Sequence, residues 1–335
     1  MLRKLLLLVT MSLFAVQAFA ADTINGAGAS FPFPIYSTWA FDYAKATKTR
    51  VNYQSVGSGA GIQQITENTV AFGATDDPIK KADLDKNGFM QFPAVVGGIV
   101  PVVNVDGVKS GELVLTGKLL ADIYHGKITK WNDPAIAAIN KGMKLPNANI
   151  SVIYRSDSSG TSAVFTTYLS QVSQEWNDEI GAGKSVKWAV GMGAKGNDGV
   201  AGNVKRLKNS IGYVEYAYAK QNNISWTSLV NKAGKTVAPT METFQAAAGS
   251  AAWDKEQGYY LWLVNADGDR SWPIAAATFI LLRKDQPEVN AKVVKFFDWC
   301  FKNGDTQATN LIYVALPESL KESIRGYWRE NGIKF

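Results

Sequence analysis

Short apolar strand patterns alternate with amphipathic helical patterns along almost all of this chain. Such alternation buries both kinds of apolar face most simply in an α/β architecture. Residues 50–56 read as a strand, 61–68 as a helix and 70–74 as a strand. Farther on, 150–154 is a strand pattern, and 162–169 is a helix with Val164, Phe165, Tyr168 and Leu169 inward. Ile35, Tyr36, Trp39, Ala40 and Tyr43 form a helical stripe after Pro32 and Pro34, which suit a first turn.

The chain opens Met1-Leu2-Arg3-Lys4, turns apolar from Leu5, and reaches Ala18-Phe19-Ala20. A basic start, a short apolar stretch and an A-x-A site read as a secretory signal peptide over 1–20, cleaved before Ala21. The apolar stretch falls short of the roughly 20 residues that span a bilayer, and no cysteine follows the site to carry a lipid anchor. Of 335 residues, 315 remain, more than one core usually serves, so two domains are expected. Residues 93–104 and 272–283 are apolar enough to cross between them, the first broken by Gly97-Gly98 and Pro101. On that reading one lobe combines 21–100 with 272–335, and the other is 101–271. The stretch 250–270, with Gly258 and Asp267-Gly268-Asp269, reads as loop or weak structure.

The net charge of +6 falls by two with the leader, which carries Arg3 and Lys4 and no acid. No dense Lys/Arg run remains to track a nucleic-acid backbone, so nucleic acid is not an expected partner. The mild excess suits a small anion. The single cysteine, Cys300, cannot form an intramolecular disulfide, and it shares a helical stripe with Val289, Val293 and Phe296, as a core thiol would. The single histidine, His125, has no acidic or cysteine cluster around it in the sequence. One His and one Cys exclude the usual zinc sites and weigh against a Ser-His-Asp triad.

Small residues and hydroxyls stand at three helix starts: Gly26-Ala27-Gly28-Ala29-Ser30-Phe31, Gly57-Ser58-Gly59-Ala60-Gly61, and Arg155-Ser156-Asp157-Ser158-Ser159-Gly160-Thr161-Ser162. A helix N-terminus presents backbone N–H groups without intrahelical partners and about half a positive charge. An anion there gathers several donors. Glycine admits a close approach, hydroxyls add donors, and Arg155 supplies a planar fork suited to oxyanions. Any one of these starts alone is usually only an ordinary cap; three of them beside an arginine point to oxyanion binding. The spacing fits neither G-x-G-x-x-G, because Phe31 and Ile62 stand where its third glycine belongs, nor the Walker pattern.

Asp76, in Thr75-Asp76-Asp77-Pro78, could be a turn residue. Beside an anion its carboxylate would repel any ligand lacking a proton. Phosphate near neutral pH keeps an O–H and sulfate does not, so such a carboxylate would select phosphate.

These segments, with Val51-Asn52-Tyr53-Gln54 and Phe72-Gly73-Ala74-Thr75-Asp76, closely resemble the periplasmic phosphate-binding proteins of phosphate-specific ABC transporters. The resemblance continues through Gly126-Lys127-Ile128-Thr129-Lys130-Trp131, Gly196-Asn197-Asp198-Gly199 and Ile211-Gly212-Tyr213-Val214-Glu215-Tyr216-Ala217-Tyr218-Ala219. It resumes at Trp272-Pro273-Ile274 and Phe296-Phe297-Asp298-Trp299, covering nearly the whole chain after the leader. It implies a two-lobed periplasmic-binding-protein fold of type II, hinged to close over phosphate. It implies phosphate contacts from Ser30, Phe31 and Ser58, with Asp76 accepting the phosphate proton. It implies further contacts from Arg155, Ser159, Gly160 and Thr161, with Asp157 orienting Arg155. Ser30 stands where the family often has threonine, and Ser158 where it often has glycine; neither change removes a ligand. A monomer serving the permease subunits of a phosphate ABC transporter follows, with no cofactor, no metal and no catalysis. A secreted serine-dependent phosphatase or hydrolase, or a receptor for another oxyanion, is the alternative.

Overall fold

The computed structural model describes residues 23–249 and 251–335, so the leader and its cleavage site lie outside the described residues. The main sheet has nine strands. In chain order they are β1 (Thr23–Gly28), β2 (Arg50–Ser55), β3 (Phe72–Thr75), β4 (Phe89–Asn104), β5 (Ser151–Arg155), β6 (Met192–Ala194), β7 (Ser210–Glu215), β8 (Ser225–Trp226) and β9 (Ala275–Arg283). Across the sheet they run β2-β1-β3-β9-β4-β7-β5-β6, with β8 also on β4. β2, β1 and β3 are parallel, as are β7, β5 and β6; β9 is antiparallel to both of its neighbours. A separate three-stranded sheet joins Val114–Thr116, Ser228–Val230 and Thr236–Val237.

The long strand β4 belongs to two halves of the sheet. Residues 89–98 pair with β9, and Ile99–Asn104 pair with β7. Gly97-Gly98 and Pro101 read as breaks in it, yet it runs without interruption for 16 residues. Pro93 pairs with Phe279 where the register shifts between Thr278 and Phe279, and that irregularity absorbs the missing N–H. Pro101 still offers its carbonyl, which accepts from the Thr227 N–H at 3.0 Å. The glycines are there for room. A Cβ on Gly97 would lie 2.9 Å from the Phe31 ring, and one on Gly98 only 2.1 Å from the Phe244 ring. Gly98→Ala should therefore cost about 1–3 kcal/mol of overpacking, read as a fall in Tm. An unchanged Tm would mean that Phe244 yields freely.

A second connection runs beside β4. The Trp272 indole donates to the Ile99 carbonyl at 2.9 Å, and the Ile99 N–H donates to the Ile274 carbonyl at 2.8 Å, just before β9 begins.

Helices α1 (Phe33–Thr47) and α2 (Ser58–Thr66) follow β1 and β2. Helix α3 (Gly160–Val172) follows β5, α4 (Gly196–Arg206) follows β6, and α5 (Pro287–Asn303) follows β9. The stripe of α1 is buried at Ile35, Tyr36, Trp39 and Tyr43, where Tyr36 meets Phe297 edge to face. Cys300 is a buried free thiol of α5, and burial pushes its pKa up, so it is an inert core residue. Helices α2 and α3 begin two or three residues before their apolar periodicity does, because glycine and hydroxyl residues form their first turns. Of the 250–270 stretch, the described residues 251–270 are largely irregular, with one 3-10 turn at Lys255–Gln257 and a bridge from Val264 to Ile274. No described helix is long and apolar enough to cross a membrane.

Candidate functional site

The glycine and hydroxyl loops all lie at the C-terminal ends of parallel strands, where open α/β sheets leave crevices. Gly28 ends β1 with φ of +152°, and a Cβ there would lie 2.0 Å from the Ala74 carbonyl oxygen of β3. Only glycine lets these strand ends come so close. Ser30 and Phe31 follow in the turn before α1. Gly57, at φ +97°, turns the chain from β2 into Ser58, the first residue of α2. Asp76 directly follows β3. In the other half of the sheet Arg155 is the last residue of β5. Ser159 caps α3, its Oγ accepting from the Ser162 N–H at 3.0 Å, with Gly160 and Thr161 in the first turn.

The two sets meet. Ser58 Oγ accepts from the Asp76 N–H at 3.3 Å and from the Gly160 N–H at 3.1 Å. The Gly59 N–H donates to the Ser158 carbonyl at 2.9 Å. A Cβ on Gly160 would lie 2.3 Å from Ser58 Oγ and 2.7 Å from Asp76 Oδ2, so the start of α3 sits directly against both residues. Lys184 pairs with Asp77 alongside. Ser30, Phe31, Ser58, Asp76, Arg155, Ser159, Gly160 and Thr161 are all buried, and Asp157 is half-buried.

Both carboxylate oxygens of Asp76 are buried without a hydrogen-bond partner, as is Arg155 Nη1. Burial pushes the Asp76 carboxyl up to about 7, against the nearby Thr278 hydroxyl and the Arg155 charge, which pull it down. Arg155 is held from behind: Nε donates to Asp157 Oδ1 at 2.8 Å and Nη2 to Oδ2 at 2.6 Å. Burial alone would raise the Asp157 carboxyl, but the Arg155 guanidinium and the Gly196 N–H hold it below its ordinary value. Arg155 thus presents its remaining edge in a fixed orientation.

Several residues of this site carried no individual role in the sequence. Asn197, fully buried at the start of α4, donates from Nδ2 to Ser30 Oγ at 2.8 Å and to Thr161 Oγ1 at 3.2 Å. The Tyr218 hydroxyl donates to the Ser30 carbonyl at 2.6 Å. The Tyr313 hydroxyl lies 2.7 Å from both the Phe31 carbonyl and Glu215 Oε2. Gly196-Asn197-Asp198-Gly199 is a fourth glycine-bearing helix start, but β6 before it is only three residues long and leaves little pattern.

His125 differs from its sequence context. Folding brings Glu179 within 2.8 Å of its Nε2, with Glu175 nearby and itself paired to Lys127. The buried serines of the site have no imidazole among their hydrogen-bond partners. The arrangement offers hydroxyls, helix-start N–H groups and a guanidinium edge around one buried carboxylate, which suits a tetrahedral oxyanion that carries a proton.

A profile of the PBP superfamily domain matches residues 15–303. The phosphate-binding protein PstS of Pasteurella multocida is 54% identical over 329 residues, 98% of this chain and 95% of the relative. That of Haemophilus influenzae is 55% identical, over 92% of this chain and 93% of the relative. The X-ray structure of a phosphate-binding protein from Stenotrophomonas maltophilia superposes with a TM-score of 0.66 at 19% identity, over 91% of this chain and 94% of that one. That likeness concerns the fold, a two-lobed type II arrangement of mixed α/β layers. By matched length and identity, this chain belongs to the PBP superfamily and, within it, to the PstS family of phosphate-binding proteins.

Proposed function

We propose that this chain is an exported, periplasmic receptor that binds one inorganic phosphate per monomer with high affinity. It delivers the phosphate unchanged to the permease subunits of an ABC transporter. Two lobes, 21–100 with 272–335 and 101–271, close on a hinge over the ligand. Ser30, Phe31 and Ser58 donate from one lobe, and Ser159 and Thr161 from the other, with the Gly160 N–H shared between Ser58 Oγ and the ligand. Arg155 supplies the positive charge, and Asp76 accepts the phosphate proton. No metal or cofactor takes part.

The observation that carries this reading is the buried Asp76 carboxylate, unpartnered among donors and near an unpartnered Arg155 Nη1. An acceptor placed among anion-binding donors is useful only if the anion brings a proton. The relatives are named as binding proteins, which agrees with site serines that have no imidazole among their hydrogen-bond partners.

Calorimetry on protein stripped of ligand tests the reading, with phosphate, arsenate and sulfate as titrants. One phosphate should bind per monomer, equally well after chelator treatment, with sulfate far weaker. Small-angle scattering should show compaction on adding phosphate. A strict metal requirement would remove the proposed donor set. Turnover of a phosphate ester by the pure protein would favour the hydrolase instead.

A further inference from the structure

A serine hydroxyl is ambivalent: it carries one proton and two lone pairs, and it can turn to donate or to accept. A site for an anion needs such hydroxyls turned as donors. Around Ser30 both lone pairs are already claimed. The Asn197 backbone N–H donates to Ser30 Oγ at 3.1 Å, and Asn197 Nδ2 donates to the same oxygen at 2.8 Å. Asn197 Nδ2 also reaches Thr161 Oγ1 at 3.2 Å. The amide has little freedom to flip, because Asn197 Oδ1 accepts from the Glu215 N–H at 2.8 Å. That bond fixes Nδ2, and not the oxygen, towards the two hydroxyls.

We propose that Asn197 is a positioning residue for ligand recognition: it saturates the acceptor capacity of Ser30 Oγ and loads that of Thr161 Oγ1. The protons of both hydroxyls are thereby left to point at the bound anion. Asn197 and Thr161 belong to one half of the sheet and Ser30 to the other, so this polarisation of Ser30 exists only when the halves are together. Ser58 repeats the device, with N–H donors from Asp76 on its own side and Gly160 on the other. Closure then does more than surround the ligand. It converts two adaptable hydroxyls into fixed donors, which favours an acceptor-rich anion over a neutral or donor-rich solute of the same size.

The inference rests on the phosphate-binding reading, and a double-mutant cycle separates the two. Phosphate Kd is measured by calorimetry for the wild type, Asn197→Ala, Ser30→Ala and the double variant, with Tm recorded for each. Asn197→Ala should weaken phosphate about tenfold, the equivalent of about 1.4 kcal/mol. In the Ser30→Ala background the same change should cost clearly less, because its principal target is gone. A purely structural Asn197 would cost the same in both backgrounds, and that result overturns the proposal. So does an Asn197→Ala affinity within twofold of wild type. Should Asn197→Ala fail to fold, Asn197→Asp replaces it in the same cycle, since it keeps the shape and the acceptor for Glu215 N–H but cannot donate when ionised. Wild-type protein that fails to bind phosphate overturns the functional reading and this inference together. Wild-type binding with no coupling in the cycle overturns this inference alone.

Discussion

Replacing Asp76 by Asn is expected to raise the affinity for sulfate while changing that for phosphate only modestly, so the preference for phosphate shrinks. The carboxylate can only accept, and it is buried without a partner among donors and beside Arg155. Phosphate meets it with an O–H. Sulfate at neutral pH has none and faces a buried repulsion. The amide of the variant still offers an acceptor to phosphate and adds an N–H₂ donor for sulfate. Competition binding at neutral pH decides the matter, and an unchanged sulfate affinity would reduce Asp76 to a turn residue. The same variant should show a pH signature without ligand. Burial raises this carboxyl from 3.8 to about 7. A group whose pKa is raised on folding contributes stability fully below its unfolded value, and that contribution is lost as pH rises through the folded value. The wild type should therefore lose stability relative to Asp76→Asn between about pH 4 and pH 7, by up to about 4 kcal/mol for the closed arrangement. Tm curves of both proteins from pH 4 to 8 should diverge with rising pH; parallel curves would mean that Asp76 is solvated when the ligand is absent.

Arg155→Ala should weaken phosphate by about 10- to 100-fold, since a hydrogen bond to a charged group contributes about 1.5–3 kcal/mol. Two of its nitrogens are committed to Asp157, so direct ligand contact falls mainly to Nη1. Removing the guanidinium also strips the half-buried Asp157 of its principal partner and leaves a carboxylate behind the anion site. The Gly196 N–H still holds Asp157 in place at 3.0 Å. Arg155→Ala combined with Asp157→Asn should thus bind better than Arg155→Ala alone. Arg155→Lys should recover only part of the loss, because an ammonium cannot hold the two-pronged Asp157 contact and present a further donor in the same plane. Equal affinity in wild type and Arg155→Ala would exclude Arg155 from the site.

What the sequence determined by itself is what adjacent residues dictate to one another. Apolar periodicity marked β2, β3 and β5 and the buried stripe of α1, and it marked Cys300 as core, whereas β1, β6, β7 and β8 left no strand pattern that was read. Glycines and hydroxyls marked the helix starts, because the conformations and caps they permit are properties of a few neighbouring residues. The tertiary structure decided whatever depends on segments far apart in the chain. Gly97-Gly98 and Pro101 of β4 read as breaks, yet the strand is continuous, because Phe31 and Phe244 need the space over Gly97 and Gly98 and the Pro101 carbonyl still accepts from the Thr227 N–H. Asn197 meets Ser30 across 167 positions, Tyr313 meets Phe31 across 282, and Glu179 meets His125 across 54. Such pairings leave no local periodicity. They form because a buried polar group must find a partner wherever the fold supplies one, and the choice of partner belongs to the packing.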